Sequence, residues 1–311
     1  MIRKMSGIIF IVFFICGNAL AFDIGVAWVG KAGMPLRVMN GFDKGIKEKA
    51  PEINFDISIH KELSSENELE KVVAGFEKEM DAMVILRSNG AKWLAKRETS
   101  IPTFIGGCNN PSQLGTVKNL NRPKGNITGV TYYLPATTHL DVFKAMQPDM
   151  KSVFLLMEKG HPGSLIDQNE TRAACSKIGL EYNGKMCTSV EDLVGTVKEK
   201  RKSVSAFIIG SEALIIDNTA KIIEAAGKTP VFAYSVKPIK AGAIAGYVAD
   251  DEKLGYMLAE SVIEVLVKGK KIGFIPVKTD PQPTLYINGT TYQNIGMTIP
   301  PKILGVANII Q

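Results

Sequence analysis

The expected fold is decided by residues 109–130, which begin Asn109-Asn110-Pro111-Ser112-Gln113-Leu114-Gly115-Thr116-Val117 and continue Asn121-Arg122-Pro123-Lys124-Gly125-Asn126-Ile127-Thr128-Gly129-Val130. This stretch follows the apolar run 101–105, which predicts a buried strand. Consecutive amides and a glycine turn after a strand are typical of the edge where a doubly wound α/β protein binds its ligands. We therefore expect a ligand site at this loop.

Short apolar runs alternate with amphipathic segments on both sides of this stretch. Predicted strands are 24–29, 55–59, 82–86, 152–157, one near Leu180, 206–209, 231–234 and 243–248, and predicted helices are 36–50, 65–79, 89–96, 167–178, 190–200 and 254–268. Such alternation predicts βαβ units and parallel sheets. Because the pattern starts again after residues 130–133 and no low-complexity linker intervenes, we expect an α/β protein with two doubly wound parallel-sheet lobes, joined by a multi-strand hinge.

The N-terminus has the pattern of a secretory signal peptide in residues 1–21. Two basic residues precede the apolar run 8–16, and Ala19-Leu20-Ala21 supplies a small-residue cleavage site, so we expect export and cleavage after Ala21. The apolar run is shorter than the roughly 18 residues that a membrane-spanning helix needs. A lipid anchor at Cys16 is the alternative, but bulky Ile15 precedes it where lipoprotein processing requires a small residue.

Charge and composition exclude some classes of partner and chemistry. The net charge of +6 comes from Lys and Arg residues interleaved with Asp and Glu, without the clustered basic stripe of a nucleic-acid-binding protein. The three histidines are scattered, and the sequence has neither a His-x-x-x-His nor a Cys-x-x-Cys pair to ligate a metal. The Gly-x-Ser-x-Gly motif of many hydrolases is also missing. We expect no catalytic residues, no metal and no cofactor.

The cysteines leave two alternatives open. Cys16 lies in the predicted signal, and Cys175 and Cys187 flank a predicted helix-to-strand turn. They form either a local disulfide or two buried thiols. Cys108 is left unpaired under both alternatives.

Three parts of the chain, in this order and spacing, resemble the ABC-transporter substrate-binding proteins of the tryptophan/tyrosine-uptake type. The first is residues 109–130, the second is Lys240-Ala241-Gly242-Ala243 with Asp250 and Leu254-Gly255, and the third is Leu285-Tyr286-Ile287-Asn288 with Gly296-Met297-Thr298-Ile299-Pro300-Pro301. The resemblance implies a type I periplasmic binding fold. We expect lobe 1 to hold residues 22–132 and 250–280, and lobe 2 to hold residues 133–249 and 281–311.

The resemblance also implies a monomeric periplasmic receptor that closes over a small solute and delivers it to an ABC permease in the inner membrane. Better-known members bind an aromatic amino acid, so we expect an aromatic or related amino acid here. The alternative is a sensory module that reports the solute to a membrane receptor. Two ligand-facing positions depart from the family pattern: Asn110 stands where many relatives have Asp, and Gly210-Ser211-Glu212-Ala213 replaces a Thr-Asp-Asn-like loop.

In this fold the carboxyl ends of the strands in both lobes face a shared cleft. From lobe 1 we expect Trp28 either to stack on an aromatic solute or to pack in the core. Ser88 and Asn89 open a predicted helix, where they either bind the carboxylate of a solute or serve as a helix cap. Asn109 and Asn110 either contact the solute or cap a turn.

At the crossing between the lobes, Thr131 and Tyr132 either line the cleft or cover the hinge. From lobe 2 we expect contacts from the residues that follow the strands, namely Ser211, Glu212, Tyr234 and Ser235. Glu212 and Asp250 are the acids expected to pair with an ammonium group, with an ordinary surface salt bridge as the alternative. Asp250 matches an acid of the family pattern, so it is the preferred partner.

Overall fold

The computed structural model describes residues 20–123 and 125–311, so residues 1–19 of the predicted signal lie outside the described residues. In chain order the elements are β1 (Ala21–Val29), α1 (Met34–Lys49), β2 (Asn54–Leu63), α2 (Glu66–Glu79), β3 (Ala82–Leu86), α3 (Arg87–Leu94), β4 (Thr103–Gly106), β5 (Ile127–Thr131), α4 (Ala136–Met146), β6 (Ser152–Glu158), α5 (Pro162–Ile178), β7 (Glu181–Cys187), α6 (Val190–Lys200), β8 (Ala206–Ile209), α7 (Ala213–Ile216), α8 (Thr219–Ala226), β9 (Val231–Ala233), α9 (Val236–Lys240), β10 (Ala245–Val248), α10 (Asp251–Leu266), β11 (Lys278–Thr279), β12 (Thr284–Asn288), α11 (Gly289–Asn294), α12 (Pro301–Leu304) and β13 (Asn308–Ile310). A 3₁₀ turn, Ile272–Phe274, precedes β11. None of the described helices has the length and apolar character needed to cross a membrane.

The first sheet has six parallel strands in the order β11-β5-β4-β3-β1-β2. Every residue of β3 is buried, because helices cover both faces of the sheet. Alternate side chains of β3 face opposite ways. Leu86 packs with Phe42 of α1 and with α10, whereas Met83 packs with Phe76 of α2. This layering brings the carboxyl ends of β1, β3 and β4 to one edge of the first lobe.

The second sheet has seven strands in the order β13-β12-β10-β9-β8-β6-β7. The strands from β6 to β10 are parallel, but β12 runs antiparallel to β10, with Val248 opposite Thr284. The sequence predicted parallel sheets, and the difference has a topological reason. β10 ends where the chain leaves this lobe, whereas β12 begins where the chain returns to it. The two strands therefore run in opposite directions from the same end.

Within the described residues the chain passes between the two sheets at residues 132–135, 249–250 and 280–283. Asp280 joins two of these crossings, because its carboxylate accepts hydrogen bonds from the backbone N–H of Asp250 (2.9 Å) and of Gln282 (2.9 Å). The Nζ atom of Lys253 lies 2.7 Å from Oδ1 of the same buried carboxylate. These bonds hold the second and third crossings side by side.

The three cysteines of the described chain, Cys108, Cys175 and Cys187, are buried free thiols. Burial raises the pKa of Cys175 and of Cys187 to about 11, so both are uncharged at neutral pH. Of the two alternatives that the sequence left open, the structure has the pair of buried thiols.

Candidate functional site

A cleft of about 570 Å³ lies between the carboxyl ends of the strands of the two lobes. The first lobe lines it with the loop after β1 and the start of α3, and the second lobe lines it with the loops after β8 and β9. Small-molecule sites in proteins usually measure about 300–1,000 Å³, and in α/β sheets they form at this edge. The cleft is therefore the candidate ligand site.

Five of the residues predicted from the sequence line the cleft, namely Ser88, Tyr132, Ser211, Tyr234 and Ser235. A space of about 20 Å³ adjoins it and shares three of these residues, Tyr132, Ser211 and Tyr234. We call this space the inner chamber; its remaining lining is Asn109, Tyr133, Leu134, Ala136, His139, Asp167, Glu170 and Thr171. The structure thus brings together residues from the start of α3, the loops after β4, β8 and β9, and the first crossing.

Trp28 and Thr131 line neither space. Trp28 is 1% exposed and packs in the core of the first lobe, which is the packing alternative for this side chain. The hydroxyl of Thr131 donates a hydrogen bond to the carbonyl oxygen of Cys108 (2.7 Å) and accepts one from the backbone N–H of Tyr133 (3.1 Å). Thr131 therefore fixes the path of the first crossing.

Asn89 and Asn110 also lie outside both spaces. α3 begins at Arg87, so Asn89 falls inside the first turn of the helix that was predicted to start with it. Oδ1 of Asn110 accepts a hydrogen bond from the backbone N–H of Ser112 (3.1 Å), which is the turn-capping alternative.

Asp250 caps a helix and does not line the cleft. Its Oδ1 accepts hydrogen bonds from the backbone N–H groups of Glu252 (2.8 Å) and Lys253 (3.1 Å), which makes Asp250 the N-cap of α10. The next residue, Asp251, lines the cleft instead, and its carboxylate forms an ion pair with Arg37 (2.8 Å). The carboxylate that was expected to meet an ammonium group is therefore engaged with the backbone of its own helix.

Asp167, which the sequence did not single out, places a buried carboxylate in the inner chamber. The residue is 8% exposed and lies on α5. Its Oδ1 accepts a hydrogen bond from Nδ2 of Asn109 on the other lobe (2.8 Å), and its Oδ2 accepts one from the backbone N–H of Ser211 (3.3 Å). Burial raises the pKa of Asp167 to about 6, so the group is ionised at pH 7. Both of these partners are neutral.

Glu212 is buried beside Asp167, and its carboxyl group contacts Ser164. The single hydroxyl proton of Ser164 has two oxygens within reach, the carbonyl oxygen of Glu158 (2.6 Å) and Oε1 of Glu212 (2.8 Å). The hydroxyl of Ser164 is the donor in both contacts, so it can donate to either oxygen and requires no proton on Glu212. Burial and the charge of Asp167 raise the pKa of Glu212 well above its usual range, which agrees with a neutral acid. Glu212 lines neither the cleft nor the inner chamber, and its pairing with an ammonium group stays a prediction.

Two tyrosines separate the cleft from the inner chamber. The hydroxyl oxygens of Tyr234 and Thr171 are 2.7 Å apart, and the ring of Tyr234 lies 4.5 Å from that of His139. Burial lowers the pKa of His139 to about 4, so its ring is neutral. The hydroxyl of Tyr132 lies 3.5 Å from that of Ser88. Tyr234 is therefore held by side chains of the inner chamber, and Tyr132 lies beside Ser88 of the cleft, so the two rings offer the cleft a preorganised aromatic wall.

The charged side chains of the cleft differ in whether they are already paired. Asp217 forms an ion pair with Lys237 (2.6 Å), as Asp251 does with Arg37. Arg87, at the start of α3, also lines the cleft but forms no ion pair with a described residue. Among residues 20–123 and 125–311, no cluster of three or more His, Cys, Asp or Glu side chains could hold a metal ion. The chemistry of the cleft is that of hydrogen bonds, aromatic contacts and single charges.

Comparison with known proteins agrees with this arrangement. A protein-family model for ABC transporter substrate-binding proteins matches residues 25–310. A tyrosine-binding protein of Clostridioides difficile is 24% identical over 281 residues, which cover 88% of this chain and 81% of the relative. The structure of an ABC domain in complex with L-Trp from Streptococcus pneumonia superposes with a TM-score of 0.82 at 22% identity, covering 95% of this chain and 100% of the other.

A substrate-binding protein with adhesive properties from Clostridium difficile, solved in a ligand-free open form, superposes with a TM-score of 0.78 at 19% identity, covering 93% of this chain and 99% of the other. The two parallel-dominated sheets match those of type I periplasmic binding proteins, as the sequence predicted. The match to the family model spans nearly the whole described chain. This chain belongs to the family of ABC transporter substrate-binding proteins.

Proposed function

We propose that this protein is the periplasmic solute receptor of an ABC importer, and that it captures an aromatic or related amino acid by closing its two lobes. The observation that carries the proposal is a cleft between the lobes with Tyr132 and Tyr234 in its wall and the buried Asp167 carboxylate behind them. The names of two relatives support it, because one is a tyrosine-binding protein and another was solved with L-Trp.

The aromatic wall favours an aromatic solute. A ring stacked on Tyr132 or Tyr234 would gain about 0.5–1.5 kcal/mol beyond the burial of its surface. Ser88, Ser211 and Ser235 offer hydroxyl and backbone groups on both lobes for the polar part of the solute. A solute that contacts both lobes stabilises the closed state over the open one.

Asp167 is the acid that we propose for the ammonium group of the solute. The Asp167 carboxylate is buried away from bulk water, and its hydrogen-bond partners, Asn109 and the backbone N–H of Ser211, carry no positive charge. A buried carboxylate in this state gains most from a cation, because the low local dielectric strengthens their attraction. The sequence favoured Asp250 as the partner of the ammonium group. The Asp250 carboxylate, however, accepts hydrogen bonds from backbone N–H groups at the N-terminus of α10.

Closure is proposed to be a rotation of the lobes about the three crossings. Close to the hinge the lobes are linked by the bond from Asn109 to Asp167 and by a bond from Nε2 of Gln113 to Oε1 of Glu170 (2.5 Å). The cleft adjoins the crossings, with Tyr132 and Ala249 in its lining, and a solute there can bridge the lobes.

Export and delivery complete the proposal. The protein acts as a monomer and passes its solute to an ABC permease in the inner membrane. Mass spectrometry of protein purified from the periplasm should give an N-terminus at Phe22. A chain that begins at Met1, or one that carries lipid on Cys16, would contradict the proposed signal peptide.

A thermal-shift screen against the common L-amino acids tests the proposal. A ligand at 100 times its dissociation constant adds about 2.7 kcal/mol of stability, so an aromatic amino acid should raise the melting temperature measurably. Calorimetry of Asp167→Asn with that ligand should show a loss of about 2–5 kcal/mol, the range for removing one member of a buried charge pair. Asp250→Asn should bind as the wild type does, because Asn is an equally good N-cap.

Two outcomes would contradict parts of the proposal separately. If no aromatic amino acid raises the melting temperature, the proposed class of solute is wrong. If Asp250→Asn loses affinity while Asp167→Asn keeps it, the ammonium group meets Asp250, as the sequence suggested.

A further inference from the structure

Arg87 has a backbone conformation that residues with a Cβ atom rarely adopt. It follows β3 directly, and its φ of 74° lies in the left-handed region. Such a conformation persists only where the surroundings hold it, and strained conformations cluster at active sites, ligand clamps and switch regions. Contacts of the Arg87 side chain must therefore hold its backbone in this conformation.

The loop after β1 holds the guanidinium group of Arg87. Nη1 of Arg87 donates a hydrogen bond to the carbonyl oxygen of Val29. Gly30 leaves the necessary room, because a Cβ atom at that position would lie 2.8 Å from Nη1. A contact with the backbone of a neighbouring strand fixes the side chain and leaves the other guanidinium N–H groups free for another partner.

The charge of Arg87 is partly desolvated, and the carboxylates whose charges act on it, Glu158 and Asp217, form no ion pair with it. The side chain is half-buried in the wall of the cleft, and burial lowers its pKa from the usual value, although an arginine stays protonated in proteins. Arg37 and Lys237, which line the same cleft, are paired with Asp251 and Asp217. Arg87 has no such partner among the described residues. An anion in the cleft could therefore form with Arg87 the kind of ion pair that Asp251 forms with Arg37.

A neutral hydrogen-bond donor lies near Arg87 on the opposite lobe. Nδ1 of His161 accepts a hydrogen bond from the backbone N–H of Gly163 (3.1 Å), so the ring proton is on Nε2. Burial, and then the nearby charge of Arg87, lower the pKa of His161 to about 4, so the ring adds a donor to the cleft without adding a charge. An anion between Arg87 and His161 would be contacted from both lobes.

We propose that the guanidinium group of Arg87 binds a carboxylate group of the solute. The planar fork of a guanidinium matches the two oxygens of a carboxylate, which a single amide or hydroxyl cannot do. The inference rests on the proposed function for the location of the solute. It adds that the solute is an acid, anchored on lobe 1 by Arg87, while its ammonium group, where it has one, faces Asp167 on lobe 2.

Calorimetric titration with pairs of acids and amides tests this assignment. The probes are L-tyrosine and L-tyrosinamide, L-tryptophan and L-tryptophanamide, and 3-(4-hydroxyphenyl)propionate and its amide. Amidation also lowers the pKa of an α-ammonium group, so the propionate pair, which has no amino group, isolates the effect of the carboxyl group. In every pair the ratio of the two dissociation constants does not depend on the fraction of folded protein. The wild type should prefer the acid of a bound pair by about tenfold to a hundredfold, as expected for hydrogen bonds to a charged group.

Arg87→Gln should abolish this preference, and Arg201→Gln should keep it. Arg201 is the matched control, because its Nη1 also donates to a backbone carbonyl, that of Ala225, at a site outside the cleft. Arg87→Gly should lose the preference as well. It should fold at least as stably as Arg87→Gln, because glycine adopts a positive φ without strain.

The outcomes separate this inference from the proposed function. An acid preference that survives in Arg87→Gln overturns the role of Arg87, even if L-tyrosine or L-tryptophan binds tightly. Binding of the hydroxyphenylpropionate pair alone, with the preference lost in Arg87→Gln, supports Arg87 and overturns the amino-acid solute. If the wild type binds none of the six probes, both are overturned.

Discussion

At the scale of single residues, the unbalanced carboxylate of Asp167 makes folding depend on pH. Its pKa in the folded protein is about 6, above its usual 3.8, because it is buried. The folded state therefore binds the proton more tightly than the unfolded state does. The stability that this group contributes is fully present below about pH 4 and is lost as the pH rises through 6.

Replacing Asp167 with Asn should stabilise the protein at neutral pH. A shift of about 2 units corresponds to about 3 kcal/mol, so the variant should be more stable than the wild type by up to about that amount at pH 7.5, with the difference shrinking towards pH 4. Urea denaturation of both proteins at pH 4, 5, 6 and 7.5 measures this. A difference that stays constant across the series would contradict the titration of Asp167.

A residue of the candidate site could be identified from the sequence where its position next to a predicted strand was enough to place it, and not where its position depends on tertiary packing. Ser88, Ser211 and Tyr234 were identified because each follows a strand, and the carboxyl ends of parallel strands meet at one edge. Asp167 lies inside a helix and reaches the site only through the packing of α5 against the other lobe. Arg87 depends on a left-handed backbone conformation that is uncommon for a non-glycine residue.

At the scale of elements, α1 and α10 pack so closely that two glycines are required. A Cβ atom at Gly41 of α1 would overlap the backbone carbonyl of Glu252, and one at Gly255 of α10 would overlap the backbone carbonyl of Val38. Since backbone atoms are the obstacle, no side-chain movement can relieve the overlap. The two helices must move apart to accommodate a larger residue.

Gly255→Ala should destabilise the protein by about 1–3 kcal/mol or more, the usual cost of overpacking. Gly75→Ala is the matched control, because Gly75 lies in the interior of α2 and a Cβ atom there would meet no atom within 4 Å. That substitution should stabilise the protein by up to about 1 kcal/mol, since alanine favours a helix more than glycine does. Equal effects of the two changes in denaturant titrations would contradict the close packing of α1 and α10.

The elements were predicted well where patterns are local. The strands 82–86 and 206–209 and the helix 190–200 have the bounds that apolar periodicity predicted. Ser65, the first residue of the predicted helix 65–79, is the N-cap of α2, and the Glu68 carboxylate accepts a hydrogen bond from the backbone N–H of Ser64. α7 and β11 were missed, because α7 is a single helical turn of four apolar residues without a polar face, and β11 is only the two polar residues Lys278 and Thr279.

At the scale of the whole molecule, repetition along the chain predicted two lobes, but β12 was not among the predicted strands, and periodicity could not have given its direction. Periodicity shows that a strand has buried faces and says nothing about its orientation. The direction follows from the hinge, because the chain re-enters the second lobe beside the point at which β10 leaves it. The same crossings, tied together by Asp280, are where we expect the lobes to rotate.

The central claim is that the solute binds between the lobes and is contacted by both. Hydrogen–deuterium exchange with and without saturating L-tyrosine, read by mass spectrometry, tests it most directly. We predict slower exchange on both sides of the cleft: in residues 31–37 and 87–94 of the first lobe, and in residues 211–217 and 234–240 of the second. Binding that slows exchange in one lobe only, or in neither pair of segments, would contradict the claim.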